Sequence, residues 1–159
     1  MDRLTLLRRA RDAGLRVAAE SGKLVIRGPK QAEPVARFLI AHKAEVLAAL
    51  DEAADWQSRH AEALMHWRVL HPAGEAAGLA WAEMEVRWHR VHGERIAVGQ
   101  CAGCGETIGK RATLGLADGC RVHCDTLDCL LDYGRRWRST ATAGLRALGL
   151  DPPADEIEP

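Results

Sequence analysis

LLRRARDAGLRVAAESGKLVIRGPK, residues 6–30, is the stretch on which the reading of the fold turns. Leu4, Leu7, Ala10 and Ala13 recur at helical spacing up to Gly14, which suits the left-handed stop of a short helix. LRVAAE (15–20) then alternates large apolar residues with small or polar ones, Ser21-Gly22 supplies a turn that tolerates positive φ, and KLVIRG (23–28) is rich in branched side chains. The two runs predict a β-hairpin that ends at Pro29. From Glu33-Pro34 onward, Val35, Phe38, Leu39, Val46, Leu47 and Leu50 keep a helical period that breaks near His42-Lys43, so two helices follow. The order α-β-β-α-α over residues 1–52 makes the chain α+β.

The 159 residues sum to zero net charge, which by itself argues for neither nucleic acid nor an anionic membrane. Residues 1–50 nevertheless carry ten basic against five acidic side chains, so the basic excess sits on the hairpin-bearing module. Taken with FLIAHKAEVLAAL (38–50), the opening stretch resembles the TubC N-terminal docking domain of hybrid peptide and polyketide synthetases, over about residues 2–52. The resemblance implies an αββαα module that forms a homodimer and captures the acidic C-terminal segment of another protein by β-strand addition to the hairpin. It also implies that Arg16, Val17, Lys23, Val25, Arg27 and Lys30 make the partner contacts. A chain of 159 residues has no room for a condensation, adenylation or ketosynthase domain, so docking is expected without the assembly line.

The middle, residues 53–93, reads as a helical pair broken at His71-Pro72-Ala73-Gly74. Trp81, Glu85 and Trp88 share one helical face, as do His60, Leu64 and Trp67, and the tryptophans, Trp56 included, are expected in helix-on-helix packing. His89 and His92 stand at i and i+3 but lack a third ligand of suitable spacing. His60-Ala61-Glu62 followed by Cys101-Ala-Gly-Cys104 matches part of the zinc deaminase signature. Gln100 stands where that signature has proline, and His60 and Glu62 sit about 200° apart around a helix. A zinc-dependent deaminase-like enzyme is therefore the third reading.

All five cysteines fall between Cys101 and Cys129, an odd number in a short stretch, which favours a metal site over a disulfide framework. Residues 94–150 read as one module. ERIAV (94–98) is expected as a short strand leading into Cys101-Ala-Gly-Cys104-Gly105, a knuckle in which two thiolates bridge one metal across a tight turn whose glycines permit the twist. Thr113 to Leu116 and Cys120 to His123 flank Ala117-Asp118-Gly119 as a second hairpin. A helix opens at Leu127, capped by Asp125 or Thr126, and closes at Gly149 before Pro152-Pro153. Knuckle, hairpin and helix give a treble-clef-like order, with His123 at the strand end and Cys129 in the first helical turn completing the ligand set Cys101, Cys104, His123, Cys129. Cys124 is the substitute ligand, and Cys120 the remaining spare. Four protein ligands make a closed structural zinc site, whose binding supplies on the order of 10 kcal/mol of folding energy.

Arg135, Arg136 and Arg138, beside Tyr133 and Trp137, are candidate nucleic-acid contacts, which makes a nucleic-acid-binding zinc protein of a phage or mobile element the alternative function. The CxxCG, DGxRVH, LDCLLDYGRRW and LGLDPP arrangement resembles alphaproteobacterial mobile-element proteins, a likeness that carries no activity. Residues 151–159 are an acidic, flexible tail. No apolar run approaches the roughly 20 residues of a spanning helix, and MDRLTLLRRARDAG has no signal-peptide core, so a cytoplasmic protein without membrane contact is expected. No nucleophile and base pair, phosphate loop or open metal site stands out. The first reading is thus a non-catalytic adaptor for protein–protein interaction, and not an enzyme.

Overall fold

Gly14 ends the first helix as its position predicts. In the computed structural model, which describes residues 3–93, 95–116, 119–125 and 127–154, α1 spans Arg3–Asp12 and Gly14 has φ +69°. Gly14 N–H bonds Arg11 O and Leu15 N–H bonds Ala10 O, both at 2.9 Å, the paired closure in which buried Ala10 and Leu15 meet across the helix end. The chain then forms β1 (Arg16–Glu20) and β2 (Lys23–Arg27), an antiparallel hairpin whose turn places Ser21 and Gly22 at positive φ. A 3₁₀ turn (Lys30–Ala32) leads to α2 (Glu33–Ala41), α3 (Lys43–Leu70), α4 (Ala73–His92), β3 (Thr113–Gly115), β4 (Arg121–His123) and α5 (Leu127–Ala147). Helix accounts for 61% of the described residues, and the two small sheets are both antiparallel hairpins, an α+β composition.

Contacts divide the chain into two units, residues 1–81 with 144–159 and residues 82–143. The core of the first is built from Leu6, Ala10, Leu15, Ala32, Leu39 and Val46. The hairpin lays Val17, Leu24 and Ile26 against it. Strand alternation therefore turns Arg16, Ala18, Glu20, Lys23, Val25 and Arg27 to the other face. The expected boundary between residues 52 and 53 falls inside α3, which runs unbroken for 28 residues. The reason is periodicity: Val46, Ala49, Ala53, Trp56 and Ala63 are all buried at spacings of three, four or seven, so one stripe passes through the junction. The interruption at 71–72 is where Pro72 was expected to place it.

In the same unit α5 ends in the closure seen at α1, with Gly149 N–H on Arg146 O and Leu150 N–H on Leu145 O. Gln57 Nε2 donates to Leu148 O at 3.0 Å, and Arg11 bonds Arg146 O and pairs with Asp151. Trp56 and Trp81 are buried here.

In the second unit Met84, Trp88, Val122 and Ala141 are buried, and the buried Glu85 carboxylate accepts from Thr142 Oγ1 at 3.4 Å. Residues 95–97 form no strand, contrary to expectation. Among the described residues the one pairing of this region is the isolated bridge Gln100–Thr107, and the β3–β4 hairpin has no third strand. Glu94, Ala117, Asp118, Thr126 and residues 155–159, on which parts of the expected strand, turn, cap and tail fall, lie outside the described residues. No helix among the described residues is long and apolar enough to cross a membrane.

Candidate metal centre

The knuckle is a tight backbone loop. Cys101 N–H bonds Glu106 O and Gly105 N–H bonds Cys101 O, each at 2.8 Å, and Ile108 N–H returns to Gly99 O at the same distance. Gly105 takes φ +79°, so it supplies the twist. Gly103 acts differently from the expectation that it permits the turn. A Cβ there would lie 2.4 Å from Cys129 O and 2.7 Å from Cys129 Cα, so the missing side chain lets the knuckle press on the first turn of α5. Ala102 N–H bonds Arg121 O at 2.8 Å, which fixes β4 against the same loop.

These contacts bring Cys101, Cys104, His123 and Cys129 together, with one ligand atom from each lying within 4.8 Å of every other. His123 Nδ1 is 3.5 Å from Cys104 Sγ and 4.0 Å from Cys129 Sγ. An ion held tetrahedrally at about 2.3 Å from sulfur and about 2.0–2.1 Å from nitrogen separates such atoms by roughly 3.6 Å, so the cluster has the dimensions of a coordination sphere. Cys101, His123 and Cys129 are buried, and Cys104 is at the surface. His123 N–H donates to Cys101 Sγ at 3.3 Å, a bond that favours a thiolate. Burial pushes the Cys101 thiol up, but the backbone N–H groups of Cys104, His123 and Gly103, with the Cys104 side chain, outweigh it and bring it down to about 6.

Cys124 is exposed and outside the cluster, because the strand alternation that turns His123 inward turns its neighbour outward. Cys120 is likewise outside it. Two arginines brace the centre, and neither role was visible in the sequence. Arg136 donates to the carbonyls of Ala102 and Gly103, tying α5 to the knuckle. Arg111 holds both carboxylate oxygens of Asp125, at 2.8 and 2.9 Å, and keeps that carboxyl below its usual range through this hydrogen bond.

The candidate nucleic-acid contacts are largely committed elsewhere. Arg135 pairs with Asp132 at 2.5 Å and Arg136 serves the knuckle, which leaves Arg138 exposed. His89 stacks on Trp137 with ring centroids 4.2 Å apart, its Nε2–H donates to Trp137 O, and it is not a member of the cluster. His60 meets Trp81 edge-on and, like Glu62, is not in the cluster. Of the expected partner contacts, Arg16, Lys23, Arg27 and Lys30 are exposed and Val25 is on the outward face. Val17 points into the core, so it offers a partner only its backbone. Compared with known proteins, the chain matches no family model, no curated protein and no solved structure.

Proposed function

We propose that the chain is a non-catalytic interaction adaptor whose second unit is a treble-clef-like module folded around one structural zinc ion. The observation that carries the reading is the closed Cys3His cluster. Three thiolates and an imidazole suit zinc, and four protein ligands leave no position for a water to be activated. The metal would be needed, because among the described residues Val122 is the one aliphatic side chain larger than alanine that is fully buried in the core around the cluster. Zinc analysis of the reduced chain should find one ion per molecule, retained by Cys124→Ser and lost in Cys101→Ser with Cys104→Ser. Metal-free wild type, or unchanged stability in the double variant, overturns the zinc reading.

The first unit would be the docking half, as in the TubC-type domains it resembles. Each strand of its two-stranded sheet has an edge with no strand beside it among the described residues. Arg16 stands directly across from Arg27, and since Glu20 already pairs with Arg27 at 3.2 Å, Arg16 is the cation left to attract an acidic side chain. An acidic segment added as a third strand supplies that charge. Met65, Val69 and Leu70, all mostly exposed on α3, support self-association as a homodimer. In a pull-down, a partner recovered by wild type should be lost with Arg16→Glu and Arg27→Glu together. Equal recovery of every partner by both proteins ends the docking reading.

A further inference from the structure

The unit 82–143 contains a groove of about 890 Å³, between the end of α4, the segment leading into the knuckle, β4 and α5. Three arginines from three parts of the chain line it: Arg90 on α4, Arg95 just after it and Arg121 at the start of β4. Their side chains are exposed, and none makes an ion pair among the described residues. Elsewhere in the unit Arg87, Arg111 and Arg135 each hold a carboxylate. Among the described residues that line the groove there are three arginines and no carboxylate.

One wall is aromatic. Tyr133 and Trp137 stand one turn apart on α5, and the His89 stack and hydrogen bond hold Trp137 in place. Guanidinium forks match phosphate oxygens bidentately, and flat rings give bases a surface to stack on. The volume is that of a site for a mid-sized ligand. We propose that this groove binds nucleotide units, the phosphates on Arg90, Arg95 and Arg121 and a base against the Tyr133–Trp137 wall. The units come from a single-stranded nucleic acid or from a free nucleotide. An acidic peptide would satisfy the arginines but makes no use of a flat aromatic wall. The site is independent of the docking reading. Its arm at Arg121 is set by the bond from Ala102 in the knuckle, so the metal-loaded chain is the form to test.

Fluorescence anisotropy of a labelled single-stranded DNA dodecamer, with the full chain and its Arg90→Ala, Arg121→Ala double variant, reads the proposal. Wild type should bind at about 50 mM salt, and the variant should bind about tenfold more weakly or worse. The slope of log affinity against log salt should shrink by about 1.4, the share of two phosphate contacts on a single strand. Metal content and circular dichroism of the variant should match wild type, which separates this test from that of the zinc site. Displacement of the strand by adenosine monophosphate at equal nucleotide concentration assigns the groove to free nucleotides, and failure to displace assigns it to nucleic acid. No binding by wild type, equal binding by the variant, or equal displacement by a polyglutamate of the same charge overturns the proposal.

Discussion

Gly103 is not one of the four clustered residues, yet its lack of a side chain lets the knuckle of the candidate metal centre meet α5. Alanine there places a methyl 2.4 Å from a backbone carbonyl of α5, and neither loop nor helix can yield without moving Cys101 or Cys129. Chemical denaturation should show Gly103→Ala destabilised by about 1–3 kcal/mol. Gly115→Ala, which meets open space, should stay within about 0.5 kcal/mol of wild type. Equal effects would mean that the approach of knuckle to helix is not tight. The Cys101 thiol makes a second prediction. Its folded value of about 6 lies below its ordinary 9.0, so it stabilises the folded state fully above 9.0 and loses that contribution as the pH falls through about 6. Protons compete with metal for the same thiolates, so metal release moves in the same direction. A chromogenic chelator should report release as the pH drops from about 7 to 5, and release that grows toward alkaline pH would contradict the assignment.

At the scale of elements, the paired closures of α1 and α5 rest on glycines in the left-handed region. Gly14→Ala should cost about 1–2 kcal/mol, seen as a lower denaturation midpoint, and an unchanged midpoint would mean that the closure contributes nothing. Such signals are local, which is why α1, the first hairpin and the break before α4 were legible in the sequence. Each is set by a Gly, a Pro or a β-branched run within a few positions. His123 and Cys129 were legible for a related reason: a strand end and a first helical turn six residues apart can face one point, whereas the adjacent Cys124 must face away. Helix on both sides of residue 52 was legible, and its continuity as one α3 was less so, because Ala49 and Ala53 mark a buried face more faintly than leucine. Arg136 and Arg111 left no trace in the sequence. Their partners lie 33 and 34 and then 14 positions away, and only folding brings them into reach.

For the whole molecule, the two units differ in what holds them. Residues 1–81 with 144–159 close over aliphatic side chains such as Leu6, Leu39, Val46, Leu145 and Leu148. Around the Cys3His cluster of residues 82–143 the buried core is Cys101, Ala102, Val122 and Cys129, so half of its members are candidate ligands. The neutral net charge is a sum over unlike stretches, with the basic excess confined to residues 1–50. Hydrogen exchange of the full reduced chain, read by mass spectrometry with and without a zinc chelator, tests the central claim most directly. Metal removal should abolish protection across residues 99–130 and leave α1 to α3 protected. Protection of the knuckle and of β4 that survives chelation unchanged would contradict a zinc-built unit.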